Sequence, residues 1–100
     1  DVTAHAEILA ITAASDYLGS KYLTGCTLYV TLEPCLMCAS ALAWAQIDRI
    51  VYGAGDIRAG YSSPEARALH PKTVVLPGIL ESQAAGLMKK FFLQRRNPKN

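Results

Sequence analysis

The stretch Cys26-Thr27-Leu28-Tyr29-Val30-Thr31-Leu32-Glu33-Pro34-Cys35-Leu36-Met37-Cys38-Ala39 decides the fold. Its first half, Thr27 to Thr31, is β-branched and aromatic, the composition of a buried strand, and it runs directly into Glu33-Pro34-Cys35. Proline has a fixed φ and no N–H, so it suits the first position of a helix. Apolar spacing carries that helix through Cys38, Leu42 and Ala45. Ile50-Val51-Tyr52-Gly53 makes a second strand. Strand, helix and strand within so short a span predict a right-handed βαβ unit with parallel strands, and hence an α/β fold.

Outward from this unit, Thr3 is placed to cap an N-terminal helix whose first turn holds His5 and Glu7. Ile8, Leu9, Ile11 and Leu18 predict that this helix is largely buried and ends near Gly19. On the other side, residues 53–71 are rich in turn formers and read as a long functional loop. Thr73-Val74-Val75-Leu76 is a third strand, and residues 81–96 form a helix with Ala84, Ala85, Leu87, Met88, Phe91 and Phe92 on its apolar face. Residues 97–100 look frayed, and no internal repeat is visible.

One hundred residues, 51% hydrophobic and 18% charged, suit one compact domain over residues 1–100. Three cysteines, two of them in a Cys-x-x-Cys pair, argue against a disulfide scaffold and for a reducing, cytoplasmic compartment with a metal. No apolar run approaches a membrane span, so no membrane partner is expected. The net charge of +2 is modest, yet Lys89, Lys90, Arg95, Arg96 and Lys99 crowd the C-terminal end. Aromatic Phe91 and Phe92 are interleaved with that basic stripe, an arrangement suited to phosphates and splayed bases.

His5, Cys35 and Cys38 offer one imidazole and two thiolates, a ligand set for zinc that leaves a fourth position for water. Glu7 stands two residues from His5 and is left free to move protons. Both halves of the motif are expected at helix N-termini, where the dipole favours the Cys35 thiolate. Each piece has a plainer reading: Cys-x-x-Cys as a redox pair or half of a zinc ribbon, His5 as a core histidine, Glu7 as a first-turn acid. A ribbon needs a second Cys-x-x-Cys, and none is present. The joint pattern is that of a catalytic zinc site.

The His-x-Glu and Pro-Cys-x-x-Cys signature resembles the zinc deaminases of cytosine and adenine. Thr3 to Ile8, Cys26 to Ala39, Ile50 to Asp56 and Phe91-Phe92-Leu93-Gln94-Arg95-Arg96 together resemble the bacterial tRNA-specific adenosine deaminases, within the cytidine deaminase superfamily. The resemblance implies a three-layer α/β/α fold with a mixed central sheet, here without the N-terminal helix and first strands. The favoured explanation is a chain cut from a longer protein. It further implies zinc on His5, Cys35 and Cys38, Glu7 as proton shuttle, and main-chain groups of Ala6 and Pro34 holding the base. Asp56 would contact the substrate nucleotide, and Phe91, Phe92, Arg95 and Arg96 would meet RNA. Homodimerisation and a tRNA anticodon loop as partner complete the expectation, with adenosine converted to inosine at the wobble position. Leu93-Gln94 departs from relatives that carry a further basic residue there.

Three functions compete: this RNA-editing reaction, deamination of free guanine or cytosine, and a silent zinc-stabilised partner subunit. The basic aromatic C-terminus favours the first over the second. Retention of Glu7 argues against the third. Of the remaining residues, Cys26 reads as a small buried hydrophobe, His70 as an exposed loop residue, and Asp56 alone as an ordinary turn former. Trp44 reads equally as core or as dimer interface.

Overall fold

The structure, a computed structural model, describes residues 1–55 and 68–96. Its elements run α1 (Ala6–Leu18), β1 (Thr27–Leu32), α2 (Leu36–Trp44), β2 (Arg49–Ala54), β3 (Val74–Leu76) and α3 (Glu81–Arg96). The three strands form one sheet in the order β1-β2-β3, with both pairings parallel. In this sheet Leu28 pairs with Ile50, Val30 with Tyr52 and Ile50 with Val75.

Because side chains alternate across a strand, that register sorts the residues onto two faces. Leu28, Val30, Ile50, Tyr52 and Val75 pack with Leu42 of α2, Ile47 and Ile11 of α1 into the core. Tyr29, Thr31, Val51 and Gly53 face Ile79, Ala84 and Leu87 around α3. Helices therefore cover both faces, giving the α/β/α layering that the sequence predicted. All pairing among the described residues is parallel, so the mixed character of the expected sheet does not appear in these strands. Parallel neighbours need a crossover, and α2 supplies the one between β1 and β2.

Several local expectations are corrected. Thr3 does not cap α1; its hydroxyl and N–H both donate to the Asp1 carboxylate, and His5 takes the N-cap position. Pro34 is not the first helical residue, because Cys35 is the N-cap of α2 and the helix begins at Leu36. The helix α1 has no fully buried residue; its main contact is with α2, and only Ile11 also packs against the core cluster. Likewise β1 is only half-buried, and α3 buries Ala84 while Ala85, Leu87 and Phe91 remain exposed. The end of α1 does fall at Gly19, which adopts a left-handed conformation at φ 63 and donates to Asp16.

The contact between α3 and the sheet depends on the missing side chain at Gly53. A Cβ there would stand 2.6 Å from the Ala84 Cβ and 3.0 Å from the carbonyl oxygens of Ile79 and Thr31. Gly53→Ala should therefore destabilise the fold by about 1–3 kcal/mol, the usual cost of overpacking. Urea denaturation checks this, and Ala84→Gly in the same chain should recover part of the loss.

Candidate metal centre

Two helix starts meet at the carboxyl end of β1. His5 caps α1 and Cys35 caps α2, each with extended backbone (φ −65, ψ 155 and φ −69, ψ 170) and neither using its side chain in a cap hydrogen bond. Their helical turns close on main-chain bonds instead, Leu9 N–H to His5 O at 3.0 Å and Ala39 N–H to Cys35 O at 2.8 Å. The imidazole and the thiol are thereby left for other work. Cys38 follows one turn into α2 and is fully buried beneath them.

The ligating atoms of His5, Cys35 and Cys38 all lie within 4.8 Å of one another. His5 Nδ1 is 3.7 Å from the Cys35 Sγ and 3.5 Å from the Cys38 Sγ. A tetrahedral zinc ion with ordinary bond lengths separates a nitrogen and a sulfur ligand by roughly 3.6 Å. The three side chains thus already stand at the spacing of a zinc site, with Nδ1 as the imidazole donor. Among the described residues this is the single group of three such ligands.

Glu7 is half-buried and outside that group, yet its charge is close enough to Cys38 to oppose the thiol's ionisation. The Cys38 thiol is pushed up from 9.0 to about 12, first by burial, then by its hydrogen bond with Cys35 and the charge of Glu7. Burial is the largest of these causes, as Cys38 lies one turn inside α2 and fully out of solvent. Without a metal this site holds a protonated thiol at neutral pH.

Of the other predicted site residues, Ala6 is the exposed first residue of α1 and Pro34 is fully buried beside Cys35. Lacking an N–H, Pro34 can offer a base only its carbonyl. Asp56 lies outside the described residues. Phe91 is exposed on α3, some distance along the chain from the metal ligands; Phe92, Arg95 and Arg96 belong to the same helix, but their side chains lie outside the described part. Cys26 is half-buried against the core and takes no part in the ligand group. His70, expected to be exposed, is half-buried because its ring accepts the Lys72 N–H at 3.2 Å and lines a cleft with Trp44 and Tyr22. The sequence reading passed over Glu33, whose carboxyl is buried next to the metal turn. No local pattern marks a glutamate as buried at the end of a strand.

Comparison with known proteins places this geometry. Residues 1–97 match the MafB19-like deaminase family. A tRNA-specific adenosine deaminase of Agrobacterium fabrum is 44% identical, over 96% of this chain and 66% of its own length. A solved structure from studies of A-to-I editing by tRNA:A34 deaminases at the wobble position is 45% identical with a TM-score of 0.75, covering 86% of this chain and 66% of that one. A guanine deaminase from Nitrosomonas europaea is 28% identical with a TM-score of 0.65, covering 88% and 56%. The chain spans just under two thirds of the length of the tRNA deaminases it matches.

Zinc uptake at neutral pH should release protons, the Cys38 proton among them, so apparent zinc affinity should rise with pH. Stability of the metal-free protein should be insensitive to this group below pH 9.0 and fall as pH rises from there toward about 12, because the unfolded chain ionises Cys38 first. Titration of the metal-free protein in weak buffer checks the first point and thermal melts between pH 8 and 10 the second. Cys38→Ala should lose nearly all zinc.

Proposed function

This chain belongs to the MafB19-like deaminase family, and we propose that its protein converts adenosine to inosine at the wobble position of tRNA by zinc-dependent hydrolytic deamination. The observation that carries the reading is the His5, Cys35 and Cys38 spacing with Glu7 beside it but outside the ligand group. Relatives named as tRNA-specific adenosine deaminases along nearly the whole chain support the substrate. Residues 1–100 act in this reading as one deaminase domain.

His5, Cys35 and Cys38 would hold the ion, and their nitrogen and sulfur donors suit zinc better than a hard cation. Bound zinc supplies a Lewis acid that brings the pKa of water toward neutrality. Glu7 takes the proton of the attacking water on a carboxylate oxygen. It gives that proton to N1 of the purine as the water oxygen bonds C6, then takes the second proton from that oxygen and passes it to the amine as the C6–N bond breaks, so that adenosine and water become inosine and ammonia. The main-chain groups of Ala6 and Pro34 orient the base, and Asp56 meets the nucleotide from the loop after β2. Phe91 and Phe92 stack on splayed bases while Arg95 and Arg96 take phosphates.

A homodimer fits the exposed side of α2. Leu42 and Ala45 are buried in this chain, whereas Leu36 and Met37 are exposed and Trp44 is 83% exposed beside a cleft of about 490 Å³. Trp44 is therefore not core, and association with a second copy would cover it. A cytoplasmic location follows from tRNA as substrate. Among the described residues no helix is long and apolar enough to cross a membrane.

Deamination of free guanine is the second reading, favoured by the likeness to the Nitrosomonas enzyme. The higher identity to the tRNA deaminases and the basic aromatic end of α3 weigh against it. The position of Glu7 beside Cys38 weighs against a silent subunit.

Incubation of the intact protein with bulk tRNA and, separately, with free guanine separates the readings: inosine in tRNA without ammonia from guanine is the expected result. Glu7→Ala should keep zinc and lose about 10²–10⁴-fold in rate. Replacing both Arg95 and Arg96 by Ala should weaken tRNA binding and lower the slope of log affinity against log salt by about one per lost contact. An unchanged slope would favour the free base.

A further inference from the structure

Among the described residues Glu33 is the single buried charged side chain, only 5% exposed. Nothing in the reaction above uses it. A carboxylate withdrawn from water is costly unless hydrogen bonds hold it, and no buried side-chain oxygen or nitrogen among the described residues lacks a partner. Glu33 is therefore a held group.

Its surroundings join two segments of the site. The Glu33 N–H donates to Ala54 O at 2.8 Å, carrying the β1–β2 pairing one residue beyond Leu32. On the side-chain end, Oε1 lies 3.5 Å from the position a Cβ would take on Gly55, so the carboxylate sits alongside the residue just past β2. Fully buried Pro34 follows Glu33, and Cys35 follows Pro34 with its Sγ 3.7 Å from His5 Nδ1. Gly55 directly precedes Asp56 in the chain. One buried carboxylate thus stands between the turn that presents a metal ligand and the start of the loop that would reach the nucleotide.

We propose that Glu33 is a positioning residue whose buried carboxylate locks the head of the loop after β2 onto the Glu33–Cys35 turn, holding Cys35 in ligating position. The inference rests on the metal-site reading above and deepens it. Glu33 acts through Cys35 and Gly55 and does not meet the base. Supporting groups one shell beyond a metal commonly tune metal affinity by 10–100-fold.

The test measures release of zinc from the intact protein to an excess of a chromogenic chelator, alongside kcat and KM on tRNA and the thermal midpoint. Glu33→Ala should release zinc at least tenfold faster and lower kcat. Glu33→Gln, which keeps the shape and one acceptor oxygen, should fall between wild type and Glu33→Ala in zinc release. Wild-type zinc release in both variants would overturn the proposal. So would faster release that merely tracks a lowered thermal midpoint, which is what a purely structural residue gives. Should Glu33→Ala fail to fold, Glu33→Gln against wild type decides by the same criteria. A wild-type protein that holds zinc yet forms no inosine would sink the tRNA reading and leave the zinc-release comparison intact.

Discussion

The parallel pairing of β1 with β2 is the constraint from which the rest of this structure follows. It runs from Thr27 against Arg49 to Leu32 against Ala54, and the Glu33 N–H extends it to Ala54 O at 2.8 Å. Where that ladder stops, the chain must turn, and Pro34 cannot continue it because it has no N–H to give. Cys35 consequently becomes the N-cap of α2, and the helix carries Cys38 back under the same point. The same pairing holds Gly53 flat against Thr31, leaving room for α3 to approach closely through Ala84.

What makes the end of β1 a site is the arrival of a second helix start. Placing α1 against α2 brings His5 within 3.7 Å of both thiols without any side chain of the pair being committed to capping. Helix N-termini carry orphan N–H groups and a partial positive charge, a favourable setting for the anionic ligands and the Glu7 carboxylate. Burial acts in the opposite direction on Cys38, whose thiol keeps its proton until well above neutral pH. A metal bound there would resolve that opposition, since a cation would replace the proton and supply the charge that an interior thiolate lacks. Glu7 stays half-exposed beside it.

The faces left uncovered follow from the same economy of elements. On the side of α3, Tyr29, Leu80 and Leu87 line an apolar groove of about 330 Å³ beside the outer edge of β1. Across the sheet, α2 turns Leu42 inward and Trp44 outward at a spacing that one helix face cannot reconcile. Exposed apolar groups of this size are uncommon on surfaces that face only water.

Much of this was legible in the residues themselves. The β-branched run at Thr27–Thr31, the strand at Ile50–Gly53, the glycine stop at residue 19 and the ligand trio with its glutamate are local or joint patterns whose chemistry admits few alternatives. Tertiary structure decided what local pattern does not encode. Thr3 had the composition of a cap, but the Asp1 carboxylate competed for its hydroxyl and moved the cap to His5. The apolar residues of α1 looked buried, yet a helix packed mainly on α2, with Ile11 against the core, leaves none of them fully enclosed, because burial depends on what lies opposite. Cys38 became the fully buried ligand with a raised pKa, and Glu33 the held carboxylate, for the same reason: solvation is set by neighbours distant in the chain, and only the folded arrangement brings them there.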